Sequence, residues 1–454
     1  MKIWMDVMRD LEHLMEDYEV IFDGWQAGGV EGLVIGPLVF NSPKLLPGTI
    51  SAPMREDPAF TYDPNPQIYK DFGVDPPPMP EPHPKKRDIL LKMLTNAKDR
   101  GMEIWIFQAH HGAGPGGDGH VFGDQCSLAA TSARMVDTLE QYPMVDGAIM
   151  DGPEWGYEID PHHMNFRSYI FNDLPNSLRK TAMEMGYDFE AMVEAKDRLH
   201  KKMHNLSPSN IRLHGGGGIL GGFHLFGSDP DLFSWMRFRV EALTNYFANI
   251  KNNLEAHTSR PVALGVGPRS AAFAPLCGYD FAALAGVVDI LLPKHYFWHR
   301  GFDGMVGTVC RYVKTLCEWN PKLNDADALQ VVEALFGIVL PNVNEISDFE
   351  SALTPEFFEL IVYEETARAL AVVDKSDRVV PWVDSGRWPH DGDPMPAIDL
   401  NRLLESASDA GLERFLYHHH GNLTAAEWSV MSQRCGRPWV ASSDQYSPPD
   451  EAVL

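Results

Sequence analysis

Residues 145–155 read VDGAIMDGPEW, and this stretch combines a short apolar run with an abrupt polar ending. The apolar part is short enough to predict a buried β-strand over residues 145–151. Two carboxylates, Asp151 and Glu154, and the aromatic Trp155 follow at its carboxyl end. Buried strands that end in acidic residues are typical of parallel α/β barrels, which place their sites at the carboxyl ends of the strands.

Similar runs recur along the chain at intervals that fit a barrel. Apolar or β-branched runs predict further strands at 31–36, 102–108, 262–267, 289–295, 379–384 and 414–419, with a weaker one around 330–339. Helical spacing of apolar residues predicts helices at 84–100, 125–141, 187–204, 230–256, 301–319, 354–373, 397–410 and 424–434. Strands and helices that alternate in this way predict an α/β fold of the (β/α)8 TIM barrel type.

The sequence shows no internal repeat and no shift in composition that would mark a second domain. We therefore expect one (β/α)8 barrel domain over residues 1–454, since barrels with long loops reach this length. Segments too long to be simple connections predict loop insertions near 40–83, 152–186 and 205–229. Loops that follow barrel strands gather over the catalytic face, so we expect these insertions to shape a pocket.

The composition argues against some classes of binding partner. The formal net charge of −25 argues against nucleic acid and anionic membranes, because binding to both depends on clusters of Lys and Arg. No apolar run approaches the length of a membrane span, and charges near the start of the chain predict no secretory signal and a cytoplasmic location. The cysteines are irregularly spaced without a CxxC pair, which indicates reduced side chains. The sequence is compatible with a homo-oligomer.

Asp151 and Glu154 are the main candidates for acid–base chemistry. Glycoside cleavage uses one carboxyl group to protonate the leaving oxygen and another as nucleophile or base, while aromatic faces such as that of Trp155 stack on sugar rings. The alternative is structural, with Asp151 capping the next helix and Glu154 solvated in a loop.

Asp384 is a third candidate carboxylate. It ends the predicted strand 379–384 close to Trp382, which is a candidate for substrate binding, and it could partner Asp151 or Glu154 across the barrel mouth. The alternative is a helix cap or a partner of Arg387.

Histidines cluster after three of the predicted strands. His110 and His111 follow one strand, His295 ends another, and residues 418–420 follow the last. Imidazole is a common metal ligand, and in its neutral form it can equally hydrogen-bond to sugar hydroxyls. We expect His111, His295 and His419 to face the site.

Two cations and one further aromatic side chain complete the candidates for substrate binding. Lys294 and Trp298 lie in the same segment as His295, and alternation along a strand predicts that either Lys294 or His295 faces the pocket, but not both. Arg269 follows the predicted strand 262–267, where a contact with substrate and a salt bridge to a neighbouring loop are equally plausible.

Two motifs resemble a known group of enzymes. The run over residues 145–152 is similar to the strand end of alpha-L-fucosidase-like members of the glycoside hydrolase superfamily of barrels, and the chain resembles bacterial members in particular. That resemblance implies that Asp151 is the nucleophile and that Glu154 or Asp384 is the acid/base. His110 and His111 resemble the paired histidines with which those enzymes hold the sugar. The chain has His-His-Gly where the family pattern has His-His-Asp-Gly, so the resemblance extends to the superfamily and not to fucose.

Three hypotheses follow. The first is a glycoside hydrolase that acts on a carbohydrate with its carboxylates and requires neither a cofactor nor a metal. The second is a metal-dependent barrel hydrolase or isomerase, in which the clustered histidines hold a metal that activates water. The third is a carbohydrate-binding barrel without catalysis. Fold alone does not decide among them.

Overall fold

A computed structural model describes residues 1–7, 11–36, 38–40, 59–77, 83–108, 122–163, 169–298, 304–383 and 396–449. Within these residues, parallel strands form one sheet: β1 Lys2–Asp6, β2 Val30–Ile35, β3 Glu103–Gln108, β4 Gly147–Met150, β5 Ala263–Val266, β6 Ile290–Leu291, β7 Trp382–Val383 and β8 Arg414–Tyr417. Their order in the sheet is β6-β5-β4-β3-β2-β1-β8-β7. Each neighbouring pair is parallel, as alternating strands and helices predict.

The two edge strands of this order, β6 and β7, also meet. Val380 donates its backbone N–H to Leu291 O at 2.8 Å, and Trp382 donates to Pro293 O at 2.9 Å. His295 in turn donates to Trp382 O at 2.9 Å. These bonds close the sheet on itself, and the predicted (β/α)8 TIM barrel is confirmed.

Helices separate the strands and surround the barrel. The α-helices span Leu11–Gly28, Pro66–Asp71, Pro84–Asp99, Gln125–Gln141, Leu178–Glu184, Phe189–Met203, Pro208–His214, Gly218–Phe226, Pro230–His257, Phe281–Ala285, Met305–Trp319, Asp325–Phe336, Pro355–Phe357, Glu364–Leu370, Ala397–Asp409 and Ala425–Cys435. A π-helical turn at Phe358–Tyr363 joins the helices Pro355–Phe357 and Glu364–Leu370. In the described part of the chain, none of the helices combines the length and the apolar character needed to cross a bilayer.

One sequence prediction is wrong, and it concerns the eighth strand. The weak strand expected around 330–339 is the helix Asp325–Phe336, which is capped by the side chain of Asn324 and ended by Gly337 in the left-handed conformation, with φ 64°. Its buried side chains, among them Leu329, Val332 and Phe336, recur at helical spacing. The strand that completes the barrel is instead β1 at the start of the chain.

Large side chains fill the inside of the barrel, where they form an apolar cluster of Trp4, Val34, Trp105, Ile149, Leu292, Tyr296, Val380, Trp382 and Leu416. The rings of Trp4 and Trp105 lie 5.2 Å apart. A β-carbon at Gly32 would lie 2.3 Å from Trp4 Cδ1, and one at Gly147 would lie 2.6 Å from Trp105 Cζ3. Glycine at these two strand positions therefore makes room for the indoles. The packed interior leaves the carboxyl ends of the strands as the place for a site.

Candidate functional site

Residues at the carboxyl ends of five strands contact one another in turn around the barrel mouth. Asp151, after β4, pairs with Lys294, after β6, at 2.7 Å. Lys294 forms a backbone bridge with Trp382 of β7, whose ring centroid lies 4.9 Å from that of His418, after β8. His418 shares a hydrogen bond of 2.7 Å with Asp6 at the end of β1. The mouth thus joins residues that are as much as 412 positions apart in sequence.

The ion pair of Asp151 and Lys294 sets the charge at one side of the mouth. The Lys294 side chain is buried, whereas that of Asp151 is 30% exposed. Burial raises the pKa of the Asp151 carboxyl, but the charge and hydrogen bond of Lys294, with smaller effects of Arg269 and His418, bring this pKa below its ordinary value. Burial lowers the pKa of the Lys294 ammonium, and Asp151 opposes this shift. Asp151 is therefore held as an accessible carboxylate.

Gly267, which follows β5, lies beside this carboxylate. A β-carbon at this position would lie 3.5 Å from Asp151 Oδ1, an ordinary contact distance, and Gly267 is itself buried.

Glu154 is held by Arg269 in a bidentate ion pair. Arg269 Nε donates to Glu154 Oε2 at 3.0 Å, and its Nη2 donates to Oε1. The guanidinium is buried and lies over the ring of Tyr157, 4.9 Å from the centroid. This pairing joins the segment after β4 to the segment after β5. Each oxygen of Glu154 thus accepts a hydrogen bond from Arg269, which holds the carboxylate in one orientation.

Asp6, His418 and His419 form a second polar cluster at the mouth. His419 Nδ1 lies 3.6 Å from the same Asp6 oxygen that bonds to His418. All three side chains are buried, with no more than 4% of any of them exposed. His420, the next residue, points away from this cluster, since its Nε2 lies 3.0 Å from the hydroxyl of Tyr446.

His295 and Lys294 lie on opposite sides of their segment, as strand alternation predicts. The ring of His295 lies 5.0 Å from that of Phe297, in the layer between strands and helices. Neither of its ring nitrogens has a hydrogen-bond partner among the described residues. Burial lowers the pKa of His295 to about 3, so this imidazole is neutral near pH 7.

The candidate tryptophans are buried. Trp155 is 4% exposed, packs against Phe122 with ring centroids 4.6 Å apart, and donates its indole N–H to Arg239 O at 2.8 Å. Trp298 is also 4% exposed and lies among apolar side chains that include Val306. Trp382 belongs to the cluster inside the barrel. None of these three indoles presents an open face in the described part of the structure.

Three further candidates, Asp384, His110 and His111, lie outside the described residues. They directly or closely follow β7 and β3 in sequence. Their part in the site stays a prediction from the sequence.

Among the described residues of the mouth, Asp6 is one that the sequence patterns did not single out. The signal was present, because Ile3, Trp4 and Met5 form an apolar run that ends in an aspartate, as Ile149 and Met150 end in Asp151. The run is only three apolar residues long, which is too short for the pattern of a strand to stand out.

No protein-family model and no curated protein sequence matches the chain. Among solved structures, it is similar to the PgaB glycoside hydrolase domain of Bordetella bronchiseptica, with TM-score 0.48, 11% identity and coverage of 95% of this chain and 98% of that one. A class V chitinase of Pseudomonas fluorescens gives TM-score 0.42, 10% identity and coverage of 96% and 99%. The spore cortex-lytic enzyme SleL of Bacillus megaterium gives TM-score 0.40 and 8% identity, with coverage of 95% of this chain and 73% of that one. This likeness concerns the general architecture alone.

Proposed function

We propose that this protein is a glycoside hydrolase whose catalytic carboxylate is Asp151. The observation that carries the proposal is the Asp151–Lys294 pair at the barrel mouth, in which a carboxylate stays ionised although it is largely enclosed. A glycosidase needs an anion of this kind as nucleophile, or as base toward water, while a second carboxyl group protonates the leaving oxygen. The resemblance of residues 145–152 to fucosidase-like strand ends makes nucleophile the expected role.

The second carboxyl group is Glu154 or Asp384. Arg269 engages both oxygens of Glu154, which favours a positioning role for Glu154 and leaves Asp384 as the stronger candidate for the acid. The separation of the two catalytic carboxyl groups would decide the stereochemistry, with about 5–5.5 Å for retention and about 6.5–9.5 Å for inversion.

A metal-dependent hydrolase is the second candidate function. It is favoured by the two imidazoles of His418 and His419 beside the carboxylate of Asp6, which offer nitrogen and oxygen donors at the same mouth. A metal held there would act on water or on a substrate oxygen. Binding of carbohydrate without turnover is the third possibility.

The test is a screen of the purified protein against aryl glycosides of different sugars, with and without EDTA, together with the variants Asp151→Asn, Glu154→Gln and Asp384→Asn. We expect turnover that survives EDTA and falls by about 10²–10⁴-fold in Asp151→Asn, the range for loss of a positioned acid or base. Asp146→Asn is the matched control, because Asp146 pairs with Lys98 at 2.6 Å just before β4, at its opposite end.

The outcomes separate the hypotheses. Full turnover in Asp151→Asn would refute the assignment of this residue. Turnover that EDTA abolishes would favour the metal-dependent hydrolase. Sugars that bind in calorimetry without any turnover would indicate a binding barrel.

A further inference from the structure

The donor atoms of Asp6, His418 and His419 are close enough to share one ion. One donor atom from each of the three side chains lies within 4.8 Å of the others. The Asp6 carboxylate oxygen lies 2.7 Å from His418 Nδ1 and 3.6 Å from His419 Nδ1. Ligands that bind one metal ion at about 2.0–2.2 Å must lie within about 4.4 Å of each other, so small rotations bring this set into range.

The backbone brings the two consecutive imidazoles to the same side. Successive side chains of an extended strand point to opposite faces. At the end of β8 this alternation is broken, because His419 adopts the left-handed conformation with φ 69° and ψ 89°. The rings of His418 and His419 consequently lie with centroids only 3.4 Å apart. A non-glycine residue at positive φ is uncommon, and such strain is concentrated at binding and catalytic sites.

A simple structural Asp–His pair does not account for this arrangement. One imidazole suffices to satisfy a buried carboxylate by a hydrogen bond, as His418 does for Asp6. The second imidazole adds another nitrogen donor next to the same oxygen, at the cost of a strained backbone. Two imidazoles and one carboxylate are the donor set of many zinc and non-haem iron sites.

We propose that Asp6, His418 and His419 bind a single divalent transition-metal ion at the barrel mouth. Zn²⁺ fits this set of nitrogen and oxygen donors, and three protein ligands leave a further position for water or a substrate oxygen. A bound ion would take the place of the hydrogen bond between Asp6 and His418, and the proton of a neutral His418 imidazole would be carried on the ring nitrogen that does not bind the metal. The site does not depend on the glycosidase proposal, because it contains neither Asp151 nor Glu154.

The experiment measures metal directly rather than turnover. The full chain is incubated with Zn²⁺, passed through a desalting column and analysed for retained metal, and the dissociation constant is measured by calorimetry. We expect about one equivalent in the wild type and binding weakened by at least about tenfold in Asp6→Asn. A second variant, His419→Asn, guards against misfolding, because asparagine tolerates positive φ. With Co²⁺ in place of Zn²⁺, visible absorption bands of a bound ion should appear in the wild type and be lost in both variants.

Other histidine pairs supply the control. His200 and His204 lie one helical turn apart, and the rings of His214 and His224 are stacked 4.4 Å apart. The double variant His200→Gln/His214→Gln should keep the metal of the wild type. A wild type that retains no metal, or variants of the mouth that retain as much as the wild type, would overturn the proposal.

Discussion

At the scale of single residues, Lys294 controls the charge of Asp151. Burial alone raises the pKa of this carboxyl, and Lys294 is the main group that lowers it. In Lys294→Met, burial is opposed only by the smaller effects of Arg269 and His418, so the Asp151 pKa rises and less of the carboxylate is ionised at acidic pH. We expect the acid limb of the kcat/KM profile of the proposed hydrolase to move to higher pH by about 1–3 units.

The control for this prediction is Lys98→Met. Lys98 pairs with Asp146 at 2.6 Å, on the amino-terminal side of the barrel. Its removal should leave the acid limb in place. An acid limb that stays unchanged in Lys294→Met would show that Asp151 is not the group that titrates in the reaction.

At the scale of elements, the helix Asp325–Phe336 shows where a local pattern misleads. An apolar run such as VVEALFGIVL fits a buried strand as well as a helix, because its length does not separate the two. The outcome depends on the cap at Asn324, on the stop at Gly337 and on packing against neighbouring helices. By contrast, the helices near 125–141 and 397–410 were predicted within one or two residues, since their periodicity is long and unambiguous.

The stop at Gly337 gives a test at this scale. A β-carbon at this position meets no atom within 4 Å, so Gly337→Ala changes only the backbone preference at φ 64°. We expect the free energy of unfolding to fall by about 1 kcal/mol.

Gly222 supplies the comparison. It lies inside the helix Gly218–Phe226, and a β-carbon there also meets no atom within 4 Å, but its φ is not positive. Gly222→Ala should therefore raise the free energy of unfolding by about 0.5–1 kcal/mol. Urea unfolding of both variants measures the two changes in the free energy of unfolding. Changes of the same sign would contradict the prediction.

At the scale of the whole molecule, β1 contributes to the stability of the barrel. This strand lies between β2 and β8 in the sheet, and Trp4 projects from it into the barrel interior against Trp105. Trp4 is fully buried. Trp4→Ala should lower the free energy of unfolding by about 3–5 kcal/mol, because the interior cannot collapse into the cavity.

Trp439→Ala is the comparison for that prediction. Trp439 is only partly buried and lies outside the barrel, where its indole N–H donates to Tyr446 O at 2.8 Å. Trp439→Ala should lower the free energy of unfolding clearly less than Trp4→Ala does. Similar losses in the two variants, measured by urea unfolding under the same conditions, would show that the barrel interior is not the main source of stability.

The sequence predicts the barrel, because short-range patterns of apolar residues mark strands β2 to β8 and most of the helices, although they do not mark β1. It also placed Asp151, Arg269 and Lys294 at strand ends, since those positions follow directly from the end of an apolar run. The pairing of Lys294 with Asp151, the pairing of Arg269 with Glu154, and the approach of Asp6 to residues 418 and 419 follow from tertiary packing. Closure of the barrel brings together strand ends that are hundreds of residues apart, and a local sequence pattern does not specify which ends will face each other.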